Sequence, residues 1–328
     1  MYKIRKYSKN KIMIKMIQLP GTELKVFPIA LGTANAGLAY DGTDADRLFD
    51  QFLDLGGSMI DTARIYSDWV SPEKGRSERV IGDWLRREGK RNKIVLVTKG
   101  GHPNMDNMYT NRMGQKDMEH DLELSLKTLG VDIIDIYFYH RDDIGQSAGE
   151  LLERMEGFRK AGKIRYYGCS NWKAGRMLEA DAYAKEHSLR GFIANQMLFN
   201  IASKYMNPFG DNTMAAMDEA MLRYHLEYQN NTAIPYFGTC SGFFHWVEAG
   251  REEELKTSPY YTPKNMEIAK KIKTLREKYH ASISQILLGF YFTQNFTIVP
   301  LIGPSKAAHL EDAMGSQEID FDAGDFIF

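Results

Sequence analysis

The sequence predicts a (β/α)8 TIM barrel, an α/β fold in which eight parallel strands alternate with helices. Short apolar runs bounded by turn signals recur eight times along the 328 residues, and between most of them apolar residues return at helical spacing. No Gly-rich GxGxxG turn follows the first strand, which argues against a doubly wound dinucleotide-binding sheet. No internal repeat or low-complexity linker divides the chain, so we expect a single domain.

The eight strands are predicted from runs rich in Val, Ile, Leu and aromatic residues, as in strands that are buried on both faces. They lie near residues 27–32, 58–63, 94–99, 133–140, 164–170, 191–196, 233–238 and 297–303. Ahead of them, the stretch "MIQLPGTELKVF" combines a Pro-Gly turn with the flanks of a β-hairpin. We expect this hairpin to close the floor of the barrel, and we expect long loops at the opposite, C-terminal rim.

The helices are predicted from apolar residues at helical spacing and from readable ends. They cover residues 45–55, 77–87, 116–129, 149–161, 174–187, 214–229, 264–280, 284–293 and 306–314. Gly130 and Gly162 follow two of them, as expected at helix C-termini, and Ser284 is the expected cap of the helix that begins "SQILL".

The composition points to a small-molecule partner. Lys and Arg number 42 against 43 Asp and Glu, so there is no basic field of the kind that attracts nucleic acid or an anionic membrane. The longest apolar runs fall far short of the roughly 20 residues that cross a bilayer. Cys169 and Cys240 form no CxxC pair, which favours reduced thiols and a cytoplasmic location. The composition leaves monomer and homo-oligomer equally open.

Residues 1–15 are rich in Lys and Arg and contain no acid. No long apolar segment follows them, so a secretory signal is not expected. We interpret them as a flexible basic tail, or as the result of a translation start drawn too early, and place the barrel at residues 16–328.

Polar residues stand at the ends of most predicted strands, where the active sites of such barrels lie. They are Asp61 with Tyr66 just beyond it, Lys99, His140, Ser170 with Asn171, Gln196 and Tyr236. Taken singly, each is more often structural than functional. Together, Asp61, Tyr66, Lys99 and His140 form a workable acid relay. A phenol with an ordinary pKa of about 10 donates a proton well only if a neighbouring ammonium stabilises its phenolate.

Four segments, "MIDTARIY", "VTKGG", "LELSLKTLGVDIIDIYFYHRDD" and "GKIRYYGCSNW", closely resemble segments of the aldo-keto reductases. The resemblance extends from about residue 19 to about residue 315. It implies a barrel that binds a nicotinamide dinucleotide across its rim and passes hydride to an aldehyde or ketone, with no metal. By position it implies these roles: Asp61, Tyr66, Lys99 and His140 as catalytic residues, Ser170, Asn171 and Gln196 on the nicotinamide carboxamide, and Tyr236 stacked on the nicotinamide ring.

The physical roles expected of the four catalytic residues follow from the charge that develops on the carbonyl oxygen. Tyr66 would donate a proton to that oxygen and His140 would orient it. Lys99 would lower the phenol pKa and add electrostatic stabilisation. Asp61 would pair with the Lys99 ammonium, because an unpaired charge at the end of a buried strand is costly.

The turn after the eighth strand opens a short helix, whose backbone N–H groups suit a phosphate. Gly303, Ser305, Lys306 and His309 are therefore candidates for the adenosine end of the cofactor. The related family often has Arg and Asn here, where this chain has Ser305, His309 and Ala313. Lys306 favours NADP(H), and NAD(H) stays possible.

The loop "YFGTCSGFF" lacks the Ser-Pro-Leu that usually follows the stacking aromatic residue in the family. Gly238, Thr239 and Ser241 can still offer donors to the pyrophosphate. For the substrate, which we expect to be a small carbonyl compound or a sugar, the predicted contacts are Trp69, Arg141, Trp172 and Phe199.

Two other functions compete with a carbonyl reductase. A metal-dependent hydrolase would use His140, Asp142 and Asp143, but no HxH pair ends the first strand and the ligand count is low. A nicotinamide-binding regulatory subunit or redox sensor with little turnover is the stronger competitor. A stable partner protein together with negligible turnover would identify it.

Overall fold

The chain folds as a curled parallel sheet surrounded by helices, as seen in a computed structural model that describes residues 16–327. The predicted basic tail at residues 1–15 lies outside the described residues. The strands are β1 (Ile17–Gln18), β2 (Lys25–Val26), β3 (Ala30–Gly32), β4 (Met59–Asp61), β5 (Val95–Gly100), β6 (Ile134–Tyr139), β7 (Ile164–Ser170), β8 (Ala194–Gln196), β9 (Thr232–Ala233) and β10 (Leu301–Ile302).

Strands β3 to β10 form one eight-stranded sheet in which all pairings are parallel. The order is β10-β3-β4-β5-β6-β7-β8-β9, so each strand lies beside its neighbour in sequence and β10 returns to β3. The remaining gap between β9 and β10 is bridged by Ala233, which pairs with Ile298 and accepts a hydrogen bond from the Val299 N–H at 2.9 Å. The predicted (β/α)8 barrel is confirmed.

Helices alternate with the strands around the outside of the sheet. They are α1 (Gly42–Asp54), α2 (Arg76–Glu88), α3 (Gln115–Leu129), α4 (Ala148–Lys160), α5 (Ala174–Glu186), α6 (Glu219–Tyr228), α7 (Phe243–Glu248), α8 (Glu252–Leu255), α9 (Pro263–Tyr279), α10 (Ile283–Phe292) and α11 (Ala307–Met314). Gly130 ends α3 with a left-handed φ of 69°, a conformation that glycine adopts at little cost. Within residues 16–327, every helix is too short or too polar to span a bilayer.

Several strands are shorter than predicted, such as β9, which covers only Thr232–Ala233 where residues 233–238 were expected. Three further differences concern the helices. The cap of α10 is Ser282, whose hydroxyl accepts the Gln285 N–H at 3.1 Å, and not Ser284. The helix predicted from residue 214 begins only at Glu219, because Met217 donates its N–H to the Leu198 carbonyl at 2.8 Å and so continues an extended segment. Helices α7 and α8 are short additions after β9 that the apolar pattern did not predict.

The N-terminal hairpin β1–β2 packs under the barrel. Its strands are antiparallel, with Ile17 opposite Val26. Leu19 and Val26 are fully buried in a cluster with inward-facing residues of the barrel strands such as Met59. This end of the barrel is therefore closed by apolar side chains, and the polar strand ends lie at the opposite rim.

Candidate active site

The alternation of side chains along each strand explains why polar groups converge at the rim. Successive residues of a strand point to opposite faces, so a residue two positions after an inward-facing one also points inward. Met59, Val97 and Phe138 belong to the apolar cluster inside the barrel. Two positions later in each case come Asp61, Lys99 and His140. The same relationship holds for Gln196, which follows Ala194 of that cluster, and for Tyr236, which follows Ile234.

Lys99 lies at the centre of this group and binds several of its neighbours. Its ammonium Nζ donates hydrogen bonds to Asp61 Oδ2 at 2.7 Å, to the Thr62 carbonyl at 2.7 Å and to Tyr66 Oη at 3.0 Å. The side chains of Lys99 and Asp61 are each 1% exposed, so the ion pair is removed from water. An ion pair this deeply buried is stable only when its remaining donors and acceptors are also satisfied, and here the phenol and a backbone carbonyl satisfy them.

Tyr66 reaches the ammonium from the loop that follows β4. The Arg64 N–H donates to the Lys99 carbonyl at 3.0 Å and the Tyr66 N–H donates to the Ala63 carbonyl at 3.1 Å. Ser67 then adopts a left-handed φ of 69° and donates its hydroxyl to the Ala34 carbonyl at 2.9 Å. The loop therefore doubles back over the strand end and holds the phenol at the rim.

Burial and charge act in opposite directions on these groups. Burial raises the pKa of Tyr66 above its usual value, and the opposing effect of Lys99 does not cancel it. For Lys99, burial lowers the pKa, but Asp61 and Tyr66 more than compensate and the pKa lies above its usual value. Burial raises the pKa of Asp61, against the effects of Lys99 and Gln196. Lys99 thus acts on the phenol in the expected direction, yet the phenol stays protonated near neutral pH.

His140 lies beside the phenol, with its ring centroid 5.6 Å from that of Tyr66. Burial, followed by the effects of His102, Arg141 and Lys99, holds the pKa of His140 well below its usual value, so the imidazole is uncharged. Its Nδ1 is buried and has no hydrogen-bond partner among the described residues. Orphaned buried N–H donors are rarer than orphaned acceptors, so the proton is assigned to Nε2.

A cavity of about 580 Å³ opens over these groups. Many of the predicted site residues line it: Asp61, Tyr66, Lys99, His140, Arg141, Ser170, Asn171, Gln196, Tyr236, Gly238, Thr239, Ser241, Gly303 and Ser305. A second cavity, of about 670 Å³, adjoins the first and shares Thr239, Ile302 and Gly303 with it. The two form one groove that runs from the phenol to α11.

The residues predicted to hold the nicotinamide carboxamide are already bonded to the protein. Asn171 Oδ1 accepts the Tyr236 hydroxyl at 2.6 Å and the Ala215 N–H at 3.0 Å. Asn171 Nδ2 donates to the His140 carbonyl at 3.2 Å and to Ser170 Oγ at 3.1 Å. Gln196 Nε2 donates to Asp61 Oδ1 at 2.6 Å. A carboxamide entering here would have to share or replace some of these bonds.

At the other end of the groove, the predicted adenosine residues divide into two groups. His309 lines the second cavity, together with Ala313. Lys306 lines neither cavity and is exposed at the N-cap of α11.

Only one of the four predicted substrate contacts lines the main cavity. Arg141 does, and it also donates to Thr213 Oγ1 at 2.7 Å and to Asp211 Oδ2 at 3.1 Å. Trp172 is fully buried against Phe192, with ring centroids 4.9 Å apart, and donates its indole N–H to the Arg141 carbonyl at 3.2 Å. The other two predicted contacts, Phe199 and Trp69, are absent from the cavity lining as well.

Several cavity residues escaped the sequence reasoning. Asn35, Tyr40, Met214 and Phe237 line the main cavity from outside the observed helices and strands, although residue 214 was predicted to begin a helix and residue 237 to lie in a strand. His102 was also overlooked, although it follows Lys99 by only three positions and its ring lies 4.7 Å from that of His140. Across residues 16–327, no group of three or more His, Cys, Asp or Glu side chains is arranged to hold a metal ion.

Comparisons with known proteins agree with this geometry. Norsolorinic acid reductase B of Dothistroma septosporum is 26% identical over 318 residues, which cover 92% of this chain and 76% of the relative. The aryl-alcohol dehydrogenase [NADP(+)] of Phanerodontia chrysosporium is 25% identical over 321 residues, with 89% of this chain and 78% of the relative covered. The uncharacterized oxidoreductase YrpG of Bacillus subtilis is 33% identical over 192 residues, 56% of this chain and 57% of the relative.

The family comparison covers nearly the whole barrel. Residues 28–326 match the model of the aldo/keto reductase family, a range that contains all of β3 to β10 and every residue of the groove. The family and the names of these relatives support oxidoreductase activity on carbonyl compounds, with a nicotinamide cofactor. The chain belongs to the aldo/keto reductase family.

Proposed function

We propose that this protein reduces aldehydes or ketones to alcohols with NADPH, using Tyr66 as the general acid. The observation that carries the proposal is the position of Lys99 Nζ, 2.7 Å from Asp61 Oδ2 and 3.0 Å from Tyr66 Oη, at the edge of a cavity that His140 also lines. A protonated phenol, a neutral imidazole and a buried ammonium then surround one position for a carbonyl oxygen.

In this proposal an extended dinucleotide occupies the groove. The main cavity, which Tyr66 lines, is also lined by Ser170, Asn171 and Tyr236, and these three would contact the nicotinamide. Thr239, Ser241 and Ser305 line the same groove with hydroxyl groups that suit the pyrophosphate, and His309 lies toward the adenosine end. When bound, the reduced cofactor supplies the hydride that the carbonyl carbon accepts.

The protein's own residues would act on the carbonyl oxygen. His140 donates its Nε2–H to that oxygen and so orients the substrate. As negative charge grows there, Tyr66 transfers its phenolic proton to the oxygen, an effect worth roughly 10²–10⁴ in rate for a positioned acid. Lys99 stabilises the phenolate that remains, and Asp61 keeps the ammonium in place. Because burial raises the pKa of Tyr66, the acid is in its proton-bearing form before each turnover.

The substrate is expected to be a small carbonyl compound or a sugar. Arg141 places a guanidinium in the wall of the cavity, and its side chain is 12% exposed. Trp172 and Phe199 are absent from the cavity lining, but Tyr40, Met214 and Phe237 line it, so aromatic and apolar walls remain beside the guanidinium. NADPH is preferred over NADH in this proposal because Lys306 stands at the start of α11.

The test is to measure NADPH and NADH oxidation with a panel of aldehydes, ketones, dicarbonyls and sugars, alongside cofactor binding by quenching of protein fluorescence. Turnover of at least one carbonyl class with NADPH supports the proposal. Tight cofactor binding with negligible turnover across the panel, together with a stable partner in a pull-down, would support a regulatory subunit instead. Absence of binding of either cofactor would reject both functions.

A further inference from the structure

His102 is a second buried imidazole beside the proposed carbonyl-binding histidine. The rings of His102 and His140 lie with centroids 4.7 Å apart and planes at 65°, an edge-to-face contact. His102 is 7% exposed. No role in the reaction proposed above requires a second histidine, so its presence at this contact needs an explanation of its own.

Within residues 16–327, no hydrogen bond to Nδ1 fixes the rotation of the His140 ring. Functional histidines usually have one ring nitrogen anchored to a carbonyl or carboxylate, which sets both tautomer and orientation. Nδ1 of His140 has no such partner among the described residues. Among residues 16–327, the aromatic rings that contact His140 are those of Tyr66 and His102. Tyr66 is the proposed proton donor, which leaves His102 as the contact that takes no part in proton transfer.

His102 is itself held rigidly. Its Nδ1 lies 2.7 Å from the Pro103 carbonyl, which can only accept, so Nδ1 bears the proton of the neutral ring. The His102 carbonyl accepts from Arg112 Nη1 at 3.1 Å, and Arg112 is in turn paired with Asp121 at 2.8 Å. Two separate anchors therefore fix the backbone and the ring of this residue.

The turn that delivers His102 to this position requires glycine. Gly101 has a left-handed φ of 76°. A Cβ at this position would lie 2.8 Å from the Met118 sulfur. The chain therefore turns sharply after β5, and the turn places the His102 ring against the end of β6.

We propose that His102 is a positioning residue: its ring fixes the His140 imidazole with Nε2 toward the carbonyl oxygen and keeps water away from Nδ1. This inference rests on the proposed function, because it assigns His140 the task of orienting the substrate. It predicts that kcat depends more on the shape of the ring at position 102 than on the capacity of that ring to accept a proton.

The surroundings of His140 make its protonation sensitive to this packing. The titratable and charged groups that act on it are His102, Arg141 and Lys99, with the Tyr66 phenol in ring contact. None of these is a carboxylate that would stabilise an imidazolium. The pKa of His102 is lowered to about 4, chiefly by burial, so this ring is neutral above that pH. Removal of the ring would admit water to Nδ1, and hydration would raise the pKa of His140.

The experiment compares His102→Ala, His102→Phe and a control, His225→Ala, in the full chain. The control removes a histidine that is 1% exposed and lies on α6, away from the groove. For His102→Ala we expect kcat to fall about tenfold or more with cofactor affinity unchanged, and the acid limb of the pH profile of kcat to move to higher pH. His102→Phe should keep kcat within about threefold, as ring packing is preserved. His225→Ala should lose stability without a shift of the acid limb.

A second measurement does not depend on turnover. Imidazole nitrogen chemical shifts of histidine-labelled protein report the tautomer and the pKa of His140 in each variant. We expect the Nε2–H tautomer in the parent and in His102→Phe, and a higher pKa in His102→Ala. An unchanged pKa and tautomer in His102→Ala would overturn the inference, as would equal loss of kcat in the Ala and Phe variants. If the parent reduces no carbonyl compound, the proposed function fails, whereas these shifts still decide whether His102 positions His140.

Discussion

Gln196 donates its amide N–H to Asp61 Oδ1 at 2.6 Å, on the side of the carboxylate opposite to Lys99. Both carboxylate oxygens are therefore occupied within the barrel, one by an ammonium and one by an amide. Gln196 was expected to contact the nicotinamide carboxamide, and this bond gives it a second task, since it holds the group that holds Lys99. Gln196, a predicted cofactor contact, and Lys99, the neighbour of the proposed proton donor, therefore bind the same carboxylate.

Tyr66→Phe removes the proposed proton donor, together with the hydrogen bond that its oxygen accepts from Lys99. We expect this variant to bind the nicotinamide cofactor as the parent does and to lose most carbonyl reduction, about 10²–10⁴-fold in kcat, because the oxygen no longer receives a proton from a positioned acid. Steady-state kinetics and fluorescence quenching by the cofactor measure the two quantities separately. Activity within a factor of about two of the parent would show that Tyr66 is not the acid.

Lys99→Met leaves the buried carboxylate of Asp61 without its ammonium. Removal of one partner from a buried ion pair typically costs about 3–5 kcal/mol of unfolding free energy, whereas replacement of both charges by neutral groups costs far less. We expect Lys99→Met to be strongly destabilised and inactive. The double variant Asp61→Asn/Lys99→Met should recover most of the stability and none of the activity.

Urea unfolding and carbonyl reduction, measured on the same samples, check this pair of variants. Recovery of activity in the double variant would mean that Lys99 serves the fold alone. Equal stability of the single and double variants would instead mean that the carboxylate does not depend on the ammonium.

Lys306→Ala tests the preference for NADP(H). The side chain is exposed at the N-cap of α11. In the proposed binding mode it would act as a point charge on the additional phosphate of NADP, which NAD lacks. We expect the affinity for NADP to fall about tenfold or more and the affinity for NAD to change little. Lys173, an exposed lysine at the N-cap of α5, offers a matched control, and Lys173→Ala should bind both cofactors like the parent. Equal weakening of NADP and NAD by Lys306→Ala would remove the reason for preferring NADP.

The convergence of Asp61, Lys99 and His140 at the rim could be predicted from sequence because it depends on strand periodicity. A run such as "IVLVTK" places Val95, Val97 and Lys99 on one face, and neighbouring parallel strands end at one rim. The register of β4 with β5, in which Asp61 lies opposite Val97, then brings the carboxylate within reach of the ammonium. Local pattern and barrel geometry are sufficient for this part of the site.

Part of the cavity wall could not be predicted in the same way, because it is built from loops whose partners are distant in sequence. Asn171 takes a left-handed φ of 65° and accepts a hydrogen bond from Ala215, a residue of a segment that was expected to be helical. Trp172 follows it directly and points away from the cavity lining, since its indole N–H finds the Arg141 carbonyl. An aromatic residue near a strand end therefore indicates the rim but not the direction of its side chain.

From the burial of His225 we predict how the unfolding free energy of the barrel depends on pH. The side chain is 1% exposed and stacks on Phe296, with ring centroids 5.3 Å apart, and burial lowers the pKa of its imidazole to about 4. The unfolded chain binds a proton at this residue near pH 6.5, whereas the folded chain does so only near pH 4, so folding loses stability as the pH falls through this window. His225→Phe should keep the stacked ring and reduce the pH dependence of the unfolding free energy by up to about 1.4 kcal/mol per pH unit. Urea unfolding at pH 7, 6 and 5 measures this difference, and parallel dependences for parent and variant would show that His225 does not resist protonation in the folded state.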